Sequence, residues 1–301
     1  MNILNILTKD DFELISKTHW NLTSYHTSMN VKDLDGLPSK RELLSLINGG
    51  FQKNDWVPSI PVNINASKID ESQSVSQHYN ITPNQLQSYY SQGYSLCFGD
   101  MSNAIPQIKS LKTSATELFK YPDLIVITGY LSPPNAIGVL HFDRQHNIFI
   151  QKEGVKKWTI ALEPAVQSPF DNLVYTGMTE SFFNDMSKAG YNIKSPSQCG
   201  KQEIILEPGD ILYLPPGYYH VPETLDEPSL HYTLTIEPQS FWKEKNSQLF
   251  NLLLMNCEAL NQDLRFMENP DLEDHLQRCN EIFSKEILSK ILHRISSKSQ
   301  R

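Results

Sequence analysis

Between residues 124 and 237 the chain runs as short apolar segments parted by proline and glycine turns, and this pattern restricts the fold more than any other feature. Residues 124–131, 147–151, 156–162, 203–206, 211–214 and 230–237 have strand length and are rich in β-branched and aromatic side chains. Helices do not alternate with them, so a sandwich or barrel is predicted and βαβ units are excluded. The expected class is mainly β with flanking helices.

One of these strand-like runs carries chemistry. In Val139-Leu140-His141-Phe142-Asp143 the strand period of two points an imidazole and a carboxylate to the same face. Downstream, Gly209-Asp210-Ile211-Leu212-Tyr213-Leu214 and the turn Pro215-Pro216-Gly217 lead to His220. Two histidines and one carboxylate are the ligand set of a mononuclear non-haem Fe(II) site with open positions. A single His-x-Asp triplet arises readily by chance, and its weight here comes from its surroundings. Lys156, fifteen residues after His141, lies on a strand that follows the His-x-Asp strand by a hairpin, at an inward position that is costly unless it meets an anion; Lys157 points the opposite way. The late strand Leu230-His231-Tyr232-Thr233-Leu234-Thr235 adds hydroxyls that could hold the same anion.

Taken in order, YLSPPNAIG, HFD, FIQKEGVKKW, EPGDILYLPPGYYH and SLHYTLT resemble the JmjC-type iron(II)- and 2-oxoglutarate-dependent oxygenases, and among them the ribosomal oxygenases. The likeness covers roughly residues 94–237, with GYSLCFGDMSNAIPQI as the lead-in. It implies a double-stranded β-helix, the jelly roll of cupins and JmjC proteins, with Fe(II) held by His141, Asp143 and His220. It further implies that Lys156 pairs with the distal carboxylate of 2-oxoglutarate, that Tyr130 and Thr235 are hydroxyl partners, and that Asn147 lies beside the cosubstrate. The implied activity uses O2 to hydroxylate a C–H of a protein or peptide residue, with decarboxylation of 2-oxoglutarate to succinate and CO2. The same chemistry on a free amino acid or small metabolite is the alternative, and a non-catalytic cupin-like binding or assembly module is a second. No methyl-lysine cage is signalled, which ranks N-demethylation below hydroxylation.

The rest of the chain is organised around that core: an N-terminal helical and irregular lead-in at 1–93, the catalytic β-helix at 94–239 and a C-terminal helical region at 240–301. Helix starts are expected at Thr8, Ser39 and Thr82, an amphipathic helix at 105–119 and a short one near 178–189; the polar stretch 63–80 reads as a loop. The apolar faces of 249–267 and 276–292 offer a homodimer interface or a cover for the barrel. His146 and His231 read as structural, His19 and His26 as surface or structural, and His78, His275 and His293 as solvent-facing. Trp158, Tyr213, Tyr218 and Tyr219 read as core and rim. The net charge of -8 argues against direct nucleic-acid binding. Four scattered cysteines without a CxxC pair read as reduced thiols, and no apolar run is long enough to span a membrane as a helix. Together these place the protein in the cytoplasm.

Overall fold

The computed structural model describes residues 1–45, 64–69, 75–103, 105–120, 125–169, 171–188 and 192–238. The expected turn at Gly49-Gly50, the extended link at 56–62 and the C-terminal helices, with any dimer interface on them, lie outside the described residues. Met1–Pro238 form one compact unit.

In chain order the strands are β1 Tyr25–Ser28, β2 Ile64–Ile69, β3 Val75–His78, β4 Ser95–Phe98, β5 Ile125–Ser132, β6 His141–Phe142 and β7 His146–Glu153. They continue as β8 Lys156–Ile160, β9 Leu173–Val174, β10 Gln202–Leu206, β11 Asp210–Leu214, β12 His220–Thr224 and β13 Ser229–Ile236. The helices are α1 Lys9–Leu14, α2 Lys40–Ser45, α3 Pro83–Ser91, α4 Pro106–Phe119 and α5 Glu180–Lys188. One sheet has the order β1-β11-β7-β13-β5-β4-β2-β3 and the other β10-β8-β12-β6-β9. Both are antiparallel, and together they make the expected double-stranded β-helix.

Strand parity assigns the two faces of the large sheet. On β13, Leu230, Tyr232, Leu234 and Ile236 join the outer core with Ile108, Leu111 and Ala115 of α4. The alternate residues His231, Thr233 and Thr235 line the interior. On β8 the same rule sends Lys156, Trp158 and Ile160 inward, and they are buried. Lys157 instead reaches outward to Glu223, 2.6 Å away. Phe149 and Trp158, from opposite sheets, meet with ring centroids 4.2 Å apart and fill the barrel beneath the site.

The expected caps form. The Thr8 hydroxyl accepts from the Asp11 N–H while the Asp11 carboxylate accepts from Thr8, and Ser39 and Glu42 exchange the same bonds at α2. At α3 the Gln85 side chain accepts from the Thr82 N–H. Three elements depart from expectation. The stretch 63–80 is not a loop throughout: β2 and β3 form a polar hairpin extending the large sheet beyond β4. Edge strands are solvated on one side, so their composition lacks an apolar run. His78, on that hairpin, packs against Tyr89 and Tyr94 rather than facing solvent freely. β12 extends through Pro222, a residue that reads as a strand breaker. Because β6 begins only at His141, opposite His220, the edge of β12 at Pro222 faces the loop before β6; its carbonyl accepts from the Gly138 N–H, and no donor is required of it.

The N-terminal segment closes one side. Trp20 stacks on His146 at 3.8 Å and 13°, and also lies against Tyr213 and Phe119. The His146 Nδ1 is 3.0 Å from the Tyr213 hydroxyl, and burial pushes this imidazole down to about 3. His146 is therefore structural, as expected.

Candidate metal centre

β6 and β12 are paired with His141 directly opposite His220, bringing their ring centroids to 4.2 Å. Asp143, just past β6, turns its Oδ2 to within 3.8 Å of the His141 Nε2 and 3.6 Å of the His220 Nε2. All three donor atoms lie within 4.8 Å of one another, and they form a group able to hold a metal ion among the described residues. The two sequence motifs are joined at the main chain, where the Gly217 N–H of the Pro-Pro-Gly turn donates to the Asp143 carbonyl. Gly217 has φ +80, and a Cβ there would fall 1.9 Å from the Val166 carbonyl oxygen, so the turn requires glycine.

The tautomers are fixed by backbone. The Nδ1 of His141 lies 2.8 Å from the Val139 carbonyl and that of His220 3.0 Å from the Tyr218 carbonyl. A carbonyl only accepts, so each Nδ1 carries the proton and each Nε2 turns a lone pair toward Asp143. Burial first, then neighbouring His141, lowers the His220 imidazole to about 4, which keeps it unprotonated near neutrality. The Asp143 carboxylate is oriented in turn: Asn147 Nδ2 donates to its Oδ2 at 2.7 Å, and the Thr235 hydroxyl donates to Asn147 Oδ1 at 2.9 Å. One carboxylate and two imidazole Nε2 atoms turned to one side fit a divalent metal that keeps open positions.

Lys156 supplies the second feature. Its Nζ is buried and donates to the Ser132 hydroxyl at 3.0 Å and to His231 Nδ1 at 2.8 Å, both neutral partners. Burial drives the amine down to about 7, and burial with the adjacent Lys156 holds His231 well below its ordinary range. Opposite Lys156 in the β8–β12 register stands Thr224, whose buried hydroxyl has no partner among the described residues. A buried amine beside an unpartnered hydroxyl is a receptor for an anion.

Two cavities meet here. One of about 270 Å³ contains His141, Asp143 and His220, and another of about 230 Å³ contains Lys156, Ser132 and Thr224. Tyr130, His141, Pro222 and His231 wall both. A larger groove of about 820 Å³, between α5 and residues 163–167 and 192–198, holds none of these groups. Donor chemistry, not size, locates the site.

The predicted residues are distributed as follows. His141, Asp143 and His220 converge, Lys156 lies in the adjoining cavity, and Tyr130 stacks on His231 at 4.9 Å and 6° between the two. Asn147 and Thr235 sit together behind Asp143. Thr235 is four residues from His231 on β13, about 13 Å at strand rise. Sequence reasoning missed Ser132 and Thr224 as neighbours of Lys156. Ser132 shares the strand parity of Tyr130, a signal that could have found it; Thr224 lay beyond a strand that Pro222 concealed.

Comparison with known proteins agrees with this geometry. Residues 103–243 match the family model described as the JmjC domain. The chain is 24% identical over 269 residues to the "Bifunctional lysine-specific demethylase and histidyl-hydroxylase NO66" of Drosophila willistoni, covering 87% of this chain and 32% of that protein. The Aedes aegypti protein of the same name is 26% identical over 67% of this chain and 30% of its own length. The chain thus spans about a third of the length of these curated relatives. Among solved structures, YcfD, a ribosomal oxygenase from Escherichia coli in complex with cobalt and 2-oxoglutarate, has a TM-score of 0.53 at 15% identity, covering 95% of this chain and 70% of that one. The fold, the His141–Asp143–His220 cluster and the matched segment 103–243 make this chain similar to JmjC-domain proteins.

Proposed function

We propose that the chain is an Fe(II)- and 2-oxoglutarate-dependent oxygenase that hydroxylates a C–H bond of a protein or peptide residue. The observation that carries this reading is the pairing of the three-ligand cluster with a buried lysine that has no anionic partner among the described residues. In this reading His141, Asp143 and His220 hold Fe(II), and Lys156, helped by Ser132 and Thr224, receives the distal carboxylate of 2-oxoglutarate. With O2, the bound iron and cosubstrate supply oxidative decarboxylation to succinate and CO2 and transfer of one oxygen atom to a C–H bond.

The protein's own part is orientation and charge. The Val139 and Tyr218 carbonyls hold both imidazoles in the tautomer a metal needs, and the Thr235–Asn147 relay aims the carboxylate. The Lys156 amine, weakly basic while its partners are neutral, becomes a full cation once a carboxylate docks against it. Phe149 and Trp158 exclude water from the floor. Tyr130 and Asn147 stay in the reading as residues beside the cosubstrate, Tyr130 as the wall shared by both cavities.

A polypeptide substrate is supported by the relatives, whose printed names include histidyl-hydroxylase, and hydroxylation rather than demethylation is adopted for this chain. With its net charge of -8 the protein is assigned a polypeptide, not a nucleic acid, as partner. No helix among the described residues is long and apolar enough to cross a membrane, and we place the protein in the cytoplasm. The homodimer through the C-terminal helices stands as part of the same proposal. The test is incubation with Fe(II), 2-oxoglutarate, O2 and a peptide digest, read by mass spectrometry. The reading expects one or more peptides gaining the mass of one oxygen atom; an unmodified digest combined with no metal-dependent loss of 2-oxoglutarate would refute it.

A further inference from the structure

The two cavities open to solvent at separate places. The metal cavity is rimmed by Gln145, Asn172 and, from the large sheet, Thr235 of β13. The Lys156 cavity is rimmed on its sheet side by Ser67 and Ile69 of β2 and Gln77 of β3. β13 and β2 stand three strand spacings apart in the large sheet, about 14 Å. The facing lip of the second opening is Ile137 and Val174, 53% and 43% exposed. Tyr130 and His231, stacked on one another, wall both cavities.

From the second opening a row of hydroxyls leads inward across neighbouring strands. Ser67 stands opposite Ser95 in the β2–β4 register. The Ser95 hydroxyl donates to Ser132 at 2.9 Å, and the Ser132 hydroxyl accepts from the Lys156 Nζ at 3.0 Å. All three serines line this cavity, whereas Ile64 and Ala66, of opposite parity on β2, join the outer core. No Asp or Glu lines it among the described residues. Hydroxyls at strand spacing that end on an amine let a carboxylate move inward without losing its hydrogen-bond donors.

We propose that this second opening is a side entrance for the dicarboxylate cosubstrate and an exit for its dicarboxylate product, used while the polypeptide substrate still covers the metal mouth. The inference rests on the oxygenase reading and adds to it the route and order of exchange. A polypeptide seated over Gln145 and Asn172 leaves the gap between Gln77 and Ile137 free, so the dicarboxylates exchange without waiting for its release.

Ile137→Trp and Gln77→Trp narrow the side entrance from opposite lips, and both side chains they replace are exposed. Gln145→Trp narrows the metal mouth instead. Binding of 2-oxoglutarate to Fe(II)-loaded protein under argon is followed by stopped-flow through its visible charge-transfer absorption. The slope and intercept of observed rate against concentration give association and dissociation. Each lip variant should lower both rate constants by at least ~10-fold and leave Kd within about twofold, because an obstruction in the path raises the barrier equally in both directions. Gln145→Trp should leave both rate constants within about twofold of wild type. Loss of a contact to the ligand would instead raise the dissociation rate alone. Unchanged rates in both lip variants, a rise in dissociation alone, or equal slowing by Gln145→Trp overturns the side entrance and leaves the oxygenase reading standing. Wild type that holds Fe(II) but binds no 2-oxoglutarate overturns the oxygenase reading, and the side entrance with it.

Discussion

Replacing Lys156 by methionine separates what the site needs from what the fold needs. Burial lowers the amine from 10.5 to about 7, so the cation is strained inside the cosubstrate-free protein. At ~1.4 kcal/mol per pH unit this difference corresponds to a ceiling of ~5 kcal/mol. The unfolded chain keeps this proton up to pH 10.5, whereas the folded chain gives it up near 7. Between those values the unfolded state binds more protons, so the folded state gains stability as pH rises and is weakest below pH 7. Methionine removes that penalty at similar length. It also takes the donor from His231 Nδ1, a loss of ~1–3 kcal/mol, while the Ser132 hydroxyl keeps its bond from Ser95 at 2.9 Å. The net expectation for Lys156→Met at pH 7 is a gain of ~2 kcal/mol, or roughly 4–8 °C in Tm for a unit of this size. The advantage should shrink by pH 9. The same variant should lose 2-oxoglutarate binding by ~100-fold or more, the loss expected when one member of a buried charge pair is removed. Thermal unfolding of metal-free protein at pH 7 and 9, with calorimetric titration of 2-oxoglutarate, reads both. A variant less stable than wild type at pH 7, or one binding 2-oxoglutarate within threefold of wild type, refutes the reasoning.

Three further outcomes are expected. Asn147→Ala should weaken Mn(II) or Fe(II) binding by ~10–100-fold, the usual effect of removing a hydrogen bond to a metal ligand, and Thr235→Val should weaken it by a smaller factor; metal titration checks both. Gly217→Ala should cost more than ~2 kcal/mol by denaturant unfolding and also lower metal affinity, because the added Cβ collides with the Val166 carbonyl in the turn that is bonded to Asp143. Trp20→Ala should cost ~2–4 kcal/mol through loss of its stack on His146, Tyr213 and Phe119, with metal affinity unchanged because no ligand is touched.

Much of the fold was legible because its central strands bury one or both faces and therefore read as apolar runs. β5, β7, β8, β11 and β13 all fall where the apolar runs predict them, and the period of two placed Lys156 inside and Lys157 outside. The edges were not legible. β1 pairs with β11 as the last strand of the large sheet, and β2 and β3 form the opposite margin; all three keep polar residues facing water. β12 was hidden by Pro222, which is tolerated only because β6 stops short of it.

At the site, the cluster of His141, Asp143 and His220 could be anticipated from residue types and spacing. Its supports could not, because they depend on long-range register. Asn147 reaches Asp143 across a turn, Thr235 reaches Asn147 through the β7–β13 pairing, and Ser132 and His231 reach Lys156 from two other strands.

The central claim is that the cluster and the buried lysine together turn over 2-oxoglutarate. Its most direct test is the release of succinate from 2-oxoglutarate by purified protein with Fe(II) and O2, comparing wild type with His141→Ala and Lys156→Ala. Wild type should release succinate, His141→Ala none above the metal-only background, and Lys156→Ala should need at least ~100-fold more 2-oxoglutarate for the same rate. Succinate release undiminished in His141→Ala, or no release by wild type together with no binding of Fe(II) or 2-oxoglutarate, would contradict it.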